Sequence, residues 1–169
     1  QMLDDPAFDS DAELYFGCFE DAVGGNDASF FSVATDTTDP TGYVNRWAPA
    51  SLGSGDVDAY ATFDSGQIYV GDSAGDFYAL VRTTGLAPAG WATWPRPLDP
   101  GAPAIDRAIR SSPVSYVNRR GAGELYVGND NGKVFQIDPA NGNILRTWRL
   151  GDKRKVRSIS IVDDYATST

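Results

Sequence analysis

The chain has 169 residues, 41% of them apolar and 12% aromatic, enough for one domain with a core of its own. Its net charge of −9 argues against a nucleic-acid partner, which would need a basic face. With no histidine and one cysteine, Cys18, the chain cannot build a Ser-His-Asp or Cys-His arrangement, a zinc site or an internal disulfide.

Residues 1–12 are acidic and rich in turn formers, and predict a poor first strand or none. The start at Gln1-Met2-Leu3 carries no signal-peptide pattern, as expected of a mature, cut or partial chain. Asp4, Asp5, Asp9, Asp11 and Glu13 offer the oxygens that calcium takes, but the calcium loop with its central Gly and final Glu is absent. A calcium site and an acidic, solvated terminus are the two readings of that cluster. Leu14-Tyr15-Phe16-Gly17 is a strand, and Cys18 follows its terminal glycine. Cys18 is either a half-buried thiol at a strand end or an intermolecular bridge. Residues 18–29 form an insertion with Gly24-Gly25-Asn26-Asp27 at its tip, the kind of loop where binding often resides. Phe30 to Val33 is a strand, Asp36 to Gly42 a turn, and Tyr43 to Ala48 a further strand.

The middle of the chain is more regular. Gln67 to Gly71 and Phe77 to Leu80 are strands around the turn Asp72-Ser73-Ala74-Gly75. Residues 83–106 are Pro-rich and loop-like, with Trp91 and Trp94, and Ala104 to Ile109 has room for one helical turn. Residues 117–123 are a hairpin loop carrying Arg119 and Arg120. Glu124 to Gly128, Lys133 to Ile137 and Ile144 to Trp148 are strands separated by Asn129-Asp130-Asn131-Gly132 and Asp138-Pro139-Ala140-Asn141-Gly142. Lys155 to Val162 is a last strand, and the polar end frays. No apolar run approaches the roughly 20 residues of a membrane-spanning helix.

The chain repeats itself. Gln67-Ile68-Tyr69-Val70-Gly71 matches Glu124-Leu125-Tyr126-Val127-Gly128, and Phe77 to Leu80 matches Val134 to Ile137. Trp91 follows Gly85 by six residues, as Trp148 follows Gly142. A looser upstream copy runs through Leu14 to Gly17 and Phe30 to Val33, with Gly42 five residues before Trp47. A further piece, Ile109 to Val114, recurs as Val57 to Phe63 and as Val156 to Ile161. Each full unit therefore reads as four short strands, and such repeats of about 40–50 residues are the signature of a β-propeller blade. The prediction is an all-β single repeat domain over 1–169. It is a partial β-propeller of about three four-stranded antiparallel blades, roughly 3–48, 57–94 and 109–149. The first strand of a further blade follows at 155–162. Three units do not close a ring, so the chain is part of a larger propeller, closes with another chain, or is an open array capped by partners.

The Ser-Ser-Pro, Tyr-Val-Gly and Thr-Gly…Trp pieces resemble the quinoprotein-type (PQQ-like) propeller repeat. The match is close at 109–148, good at 57–94 and loose at 13–47. The resemblance implies that Trp47, Trp91 and Trp148 dock one blade on the next. It also raises a quinone-dependent dehydrogenase, whose cofactor lies between a Trp and a vicinal Cys-Cys bridge beside calcium and a catalytic Asp. One cysteine provides no such bridge, so no cofactor, catalytic residue or metal is assigned.

Arg110 and Arg157 occupy equivalent places at the start of the innermost strand, either as solvated strand ends or as contacts for an anionic ligand or partner. Residues 1–40 lack Lys and Arg, whereas 107–120 and 146–157 hold most of the bases, so such surfaces could pair tail to head. The function expected is non-catalytic: an extracytoplasmic scaffold or adhesive module, in the periplasm or at the cell surface, that holds other proteins. An outer-membrane assembly lipoprotein and pilus-tip propeller heads carry this repeat type. The alternative is a fragment of a quinone-dependent dehydrogenase.

Overall fold

The computed structural model describes residues 13–17, 29–35, 43–45, 47, 50–52, 55–118, 120–151 and 154–162. Cys18, most of the 18–29 insertion and the carboxylates of residues 1–12 lie outside them.

Among the described residues, three antiparallel sheets follow one another along the chain. The first contains β1 (Glu13–Gly17), β2 (Ser29–Thr35), β3 (Tyr43–Asn45) and β4 (Ala50–Ser51). Here β2 pairs with β1 on one side and with β3 and β4 in succession on the other, so its outer partner is split around Trp47. The second has the order β5 (Thr62–Asp64), β6 (Gln67–Gly71), β7 (Asp76–Val81) and β8 (Arg96–Pro97). A single helical turn, α1 (Ala104–Arg107), leads to the third sheet. That sheet has the order β9 (Val114–Val117), β10 (Gly123–Gly128), β11 (Lys133–Ile137) and β12 (Ile144–Arg149).

Register proves the repeat. Tyr15 pairs with Ser32, Tyr69 with Ala79 and Tyr126 with Gln136, so the paired strands of the three units correspond residue for residue. Because side chains alternate along a strand, each sheet acquires two faces. One face carries Tyr15, Phe30 and Ser32 in the first sheet, Tyr69, Phe77 and Ala79 in the second, and Tyr126, Val134 and Gln136 in the third. The opposite face carries Leu14, Phe16, Phe31 and Val33, then Ile68, Val70, Tyr78 and Leu80, then Leu125, Val127, Phe135 and Ile137. We call these the front and back faces.

The two cores are front-to-back seams. Phe30, Trp47, Leu52 and Val57 close on Ile68, Val70, Tyr78 and Leu80. Tyr69, Phe77, Ala79 and Trp91 close on Leu125, Val127, Phe135 and Ile137. Burying a Leu, Val, Ile or Phe side chain fully stabilises by about 1.5–3 kcal/mol, so the seams rather than the short ladders hold the sheets together. Between the second and third sheets β5 also lies beside β9, where Thr62 Oγ1 donates to the Pro113 carbonyl and Ser115 Oγ donates to Asp64 at 2.5 Å.

A second contact recurs at each sheet's edge. The glycine ending β1, β6 or β10 receives a branched side chain from the next unit: Gly17 faces Val57, Gly71 faces Ile109 and Gly128 faces Val156. A Cβ on Gly71 would lie 2.2 Å from Ile109 Cγ2, so only glycine fits. Backbone bonds fix the approach, with Ile109 N–H on the Asp72 carbonyl at 2.8 Å and Val156 N–H on the Asn129 carbonyl at 3.1 Å.

Two expectations are corrected here. Residues 155–162 are not a strand: 154–162 lack a ladder in the structure. Val156 holds the place of Ile109 and Val57, which lie on irregular lead-ins, and the inner strands begin later, at Val114 and Thr62. Lys155 to Val162 is thus mostly lead-in, and it rests on Gly128 and Asn129 of the third sheet. The outer strand of the second sheet, β8, also falls past residue 94, and Trp91 precedes it in irregular chain.

Gly71→Ala is expected to cost about 1–3 kcal/mol, the usual penalty for overpacking. In an Ile109→Ala background the cost should shrink, a coupling that a denaturation double-mutant cycle reads directly.

Candidate functional site

Each seam is latched by an indole. The Trp47 ring lies on Gly85, where a Cβ would sit 2.6 Å from its Cδ2, and its Nε1–H donates to the Arg82 carbonyl at 3.0 Å. Trp91 repeats this on the next unit, with a Cβ on Gly142 falling 2.6 Å from Cε3 and Nε1–H donating to the Pro139 carbonyl at 3.0 Å. Both glycines have positive φ, +67° and +71°, so backbone conformation and ring approach each demand glycine. Trp94 serves the same core from inside the second sheet: its Nε1–H donates to the Ala79 carbonyl at 2.8 Å and its ring meets Tyr78 edge-on.

Trp148 departs from the expectation. It is 41% exposed, and among the described residues no glycine turn covers it and no carbonyl accepts from its indole. It stacks on Tyr126 of its own sheet at 6.1 Å and 25°. The docking role fails for Trp148 within this chain because the described residues contain no sheet beyond the third.

Arg110 and Arg157 do converge. Arg110 reaches Asp58 and, at 3.6 Å, the Oδ2 of Asp130, while Arg157 approaches the same oxygen at 3.5 Å and Lys155 at 3.0 Å. Asp58, Arg110 and Arg157 follow Val57, Ile109 and Val156 directly, so the seam repeat itself brings them together. Three cations therefore face two carboxylates. Asp130 is 4% exposed and the cations are partly exposed, so the cluster ties two lead-ins to the turn between β10 and β11 through one buried carboxylate.

Sequence reasoning missed Asp99, which sits in the loop after β8. It accepts from Asn131 Nδ2 at 2.8 Å, from Asn129 Nδ2 at 3.3 Å and from Lys133 Nζ at 2.7 Å. Burial would raise its pKa, but those donors prevail and hold the carboxylate below its ordinary range. Asp99, Pro103, Asn131, Lys133 and Arg149 line an open depression of about 330 Å³. Asp72 is the opposite case. Burial pushes its pKa up despite hydrogen bonds from the Asp76 N–H and Tyr78 hydroxyl, both at 2.8 Å. Burial and the neighbouring Glu124 likewise lift the Tyr126 hydroxyl to about 12. Among the described residues no group of three acidic, Cys or His side chains could hold a metal ion, and no helix is long and apolar enough to cross a membrane.

No protein-family model and no curated protein matches the chain. Solved structures do. The crystal structure of BamB from Moraxella catarrhalis aligns over 82% of this chain with a TM-score of 0.55 and 19% identity. The computationally designed Ika4 protein aligns over 87% of this chain and 78% of its own, with a TM-score of 0.53 and 14% identity. The chain spans 38% of the BamB chain. The sheets, seams and these likenesses make the fold an all-β partial propeller.

Trp47→Ala and Trp91→Ala should each cost about 3–5 kcal/mol, as aromatic truncations in cores do. Trp148→Ala in the single chain should cost under about 1 kcal/mol, near the range of surface changes. Denaturant titrations at one dilute concentration compare the three. Asp99 has a depressed folded pKa, so its stabilisation is present above the unfolded value of about 3.9 and is lost as pH falls through the folded value. Asp99→Asn should therefore lower the unfolding midpoint at neutral pH and leave it nearly unchanged well below pH 3.9. Midpoints measured at the two pH values check the sign.

Proposed function

We propose that the chain is a non-catalytic propeller-type scaffold or adhesive module that holds other proteins and works outside the cytoplasm. The observation that carries this reading is the employment of the repeated residues. The buried apolar members of the repeat, among them Trp47, Trp91 and Ile109, and the glycines they rest on are used between sheets. The ionic residues of the lead-ins are engaged, Arg110 with Asp58 and Lys155 and Arg157 with Asp130 of the turn between β10 and β11. What differs between units is exposed: Tyr60, Leu86, Ile105 and Val117 stand out on loops and edges. Such a fold fixes a rigid core and varies its rim, which suits recognition of a protein surface. The likeness to BamB and the quinoprotein-type repeat support the extracytoplasmic placement.

The rings that a quinone site would recruit are already engaged, Trp91 on Gly142 and Trp94 on Ala79. Incubation with pyrroloquinoline quinone and calcium should give neither saturable binding nor dye-linked oxidation of alcohols or aldoses. Saturable binding with turnover would move the chain to the dehydrogenase alternative. Photocrosslinkers placed at Tyr60, Ile105 and Val117 should trap a discrete protein outside the cytoplasm, and absence of any adduct there would count against the scaffold.

A further inference from the structure

Asp72 is 0% exposed in the turn between β6 and β7, and its two oxygens meet different partners. Oδ1 accepts from the Asp76 N–H at 2.8 Å. Oδ2 lies 2.8 Å from Tyr78 Oη, and that hydroxyl also contacts the Leu52 carbonyl, on the segment that follows β4 of the first sheet. A hydroxyl has one proton to give, and a carbonyl or a carboxylate can only accept. With Asp72 charged, Tyr78 serves one of these two neighbours and leaves the other, a buried acceptor, unpaired. With a proton on Oδ2 the bond between Asp72 and Tyr78 reverses, and both contacts are satisfied. Gly55 packs so closely on the carboxyl that a Cβ there would lie 2.7 Å from Oδ2, which shields that oxygen from water.

The third sheet carries the same arrangement with a donor in place. Asn129 holds the position of Asp72, and its Oδ1 accepts from the Lys133 N–H at 3.0 Å as Asp72 Oδ1 does from Asp76. Its other arm is an amide, and Nδ2 donates to Asp99 Oδ2 at 3.3 Å. Phe30 pairs with Ala50 as Phe77 pairs with Arg96, so Leu52 stands where Leu98 does, one residue before Asp99. Each turn thus aims its second arm toward the segment that leaves the sheet before it.

We propose that Asp72 is a proton-dependent latch between the first two sheets: as the neutral acid its Oδ2–H donates to Tyr78 Oη, Tyr78 donates to the Leu52 carbonyl, and loss of the Asp72 proton breaks this chain and weakens the seam. The surroundings favour the neutral acid. No Lys or Arg is paired with Asp72 among the described residues. Asp76 on its own turn opposes a second negative charge, and Arg107 at the end of α1 acts on Asp76. On the segment from the first sheet, Asp56 is bound to the turn through its backbone, and Asp58 is paired with Arg110. Burial favours the neutral forms of Asp72 and Tyr78, so the hydroxyl keeps a proton to give to Leu52. The amide of Asn129 does not titrate, so this proton dependence belongs to the seam between the first and second sheets. It goes beyond the scaffold reading and stands independently of which proteins the scaffold holds.

Denaturant titrations of the parent chain and of Asp72→Asn across pH test it. Folding favours the protonated acid, so the stabilisation is complete below the unfolded value of about 3.9 and is lost as pH rises through the folded value. The amide keeps a donor at every pH. The ratio of parent to variant unfolding constants should therefore rise with pH, by up to about tenfold per pH unit, and then level. A flat ratio, or one that falls as pH rises, would overturn the proposal. Carbon-13 NMR on the parent alone answers the question even where the variant does not fold. The Asp72 carboxyl carbon should hold its neutral position after the exposed carboxyls have ionised, and the Leu52 carbonyl carbon should shift as Asp72 titrates. An Asp72 carbon that titrates with the exposed carboxyls, or a Leu52 carbon that stays fixed while Asp72 titrates, would also overturn it. None of these outcomes bears on quinone binding or on the crosslinked partner.

Discussion

An indole lying flat on a glycine turn, its N–H on the carbonyl three residues before that glycine, is the contact on which the arrangement of sheets depends. Trp47 makes it with Gly85 and Arg82, and Trp91 with Gly142 and Pro139. The contact is demanding on both sides. The turn must have positive φ and no Cβ, and the indole must be presented at the outer edge of the preceding sheet at one height. Each sheet carries apolar faces that must be buried against another element. The latch, with the Val or Ile side chain seated on the strand-ending glycine, sets each sheet's position on the next.

The contact is directional, and the rest follows from that. A front face carries the ring and a back face carries the turn, so units stack in one sense and cannot pair front to front. Among the described residues the interior faces are satisfied at each seam, while Phe16 on the back face of the first sheet and Trp148 on the front face of the third are partly exposed. The lead-ins share the directionality. Because Val57, Ile109 and Val156 are pinned at equivalent sites, the residues after them, Asp58, Arg110 and Arg157, are stacked near one another and near Asp130. Asp130 stands between Arg110 and Arg157 and offsets their like charge.

The hairpins and their phase were legible in the sequence because Tyr-Val-Gly and the glycine-containing turns encode register locally. The partnership of Trp91 was legible only through its spacing from Gly85, and that spacing misdirects in one respect. The glycine six residues before a tryptophan is not its partner; the partner is the glycine of the next unit, Gly142 for Trp91. Residues 155–162 read as a strand because they repeat Ile109 to Val114 in phase, but that piece is itself mostly lead-in, and the position of Val156 is defined by Gly128 rather than by propensity. Trp148 has the right spacing and lacks the surface it would cover. Asp99 had no signal in the repeat, since it lies in an irregular loop and its role arises from Asn129, Asn131 and Lys133 far along the chain. Local signals therefore gave the units, and non-local contacts decided how the site residues are used.

Hydrogen exchange at the tryptophan indoles, followed by NMR on nitrogen-15-labelled chain, tests the latch most directly. Trp47 and Trp91 are held by their hydrogen bonds to Arg82 and Pro139, so their indole protons should exchange only through opening of the whole domain, both slowed by the same large factor. Exchange of either indole at the rate of a free tryptophan, under conditions where the strand amides remain protected, would contradict the account.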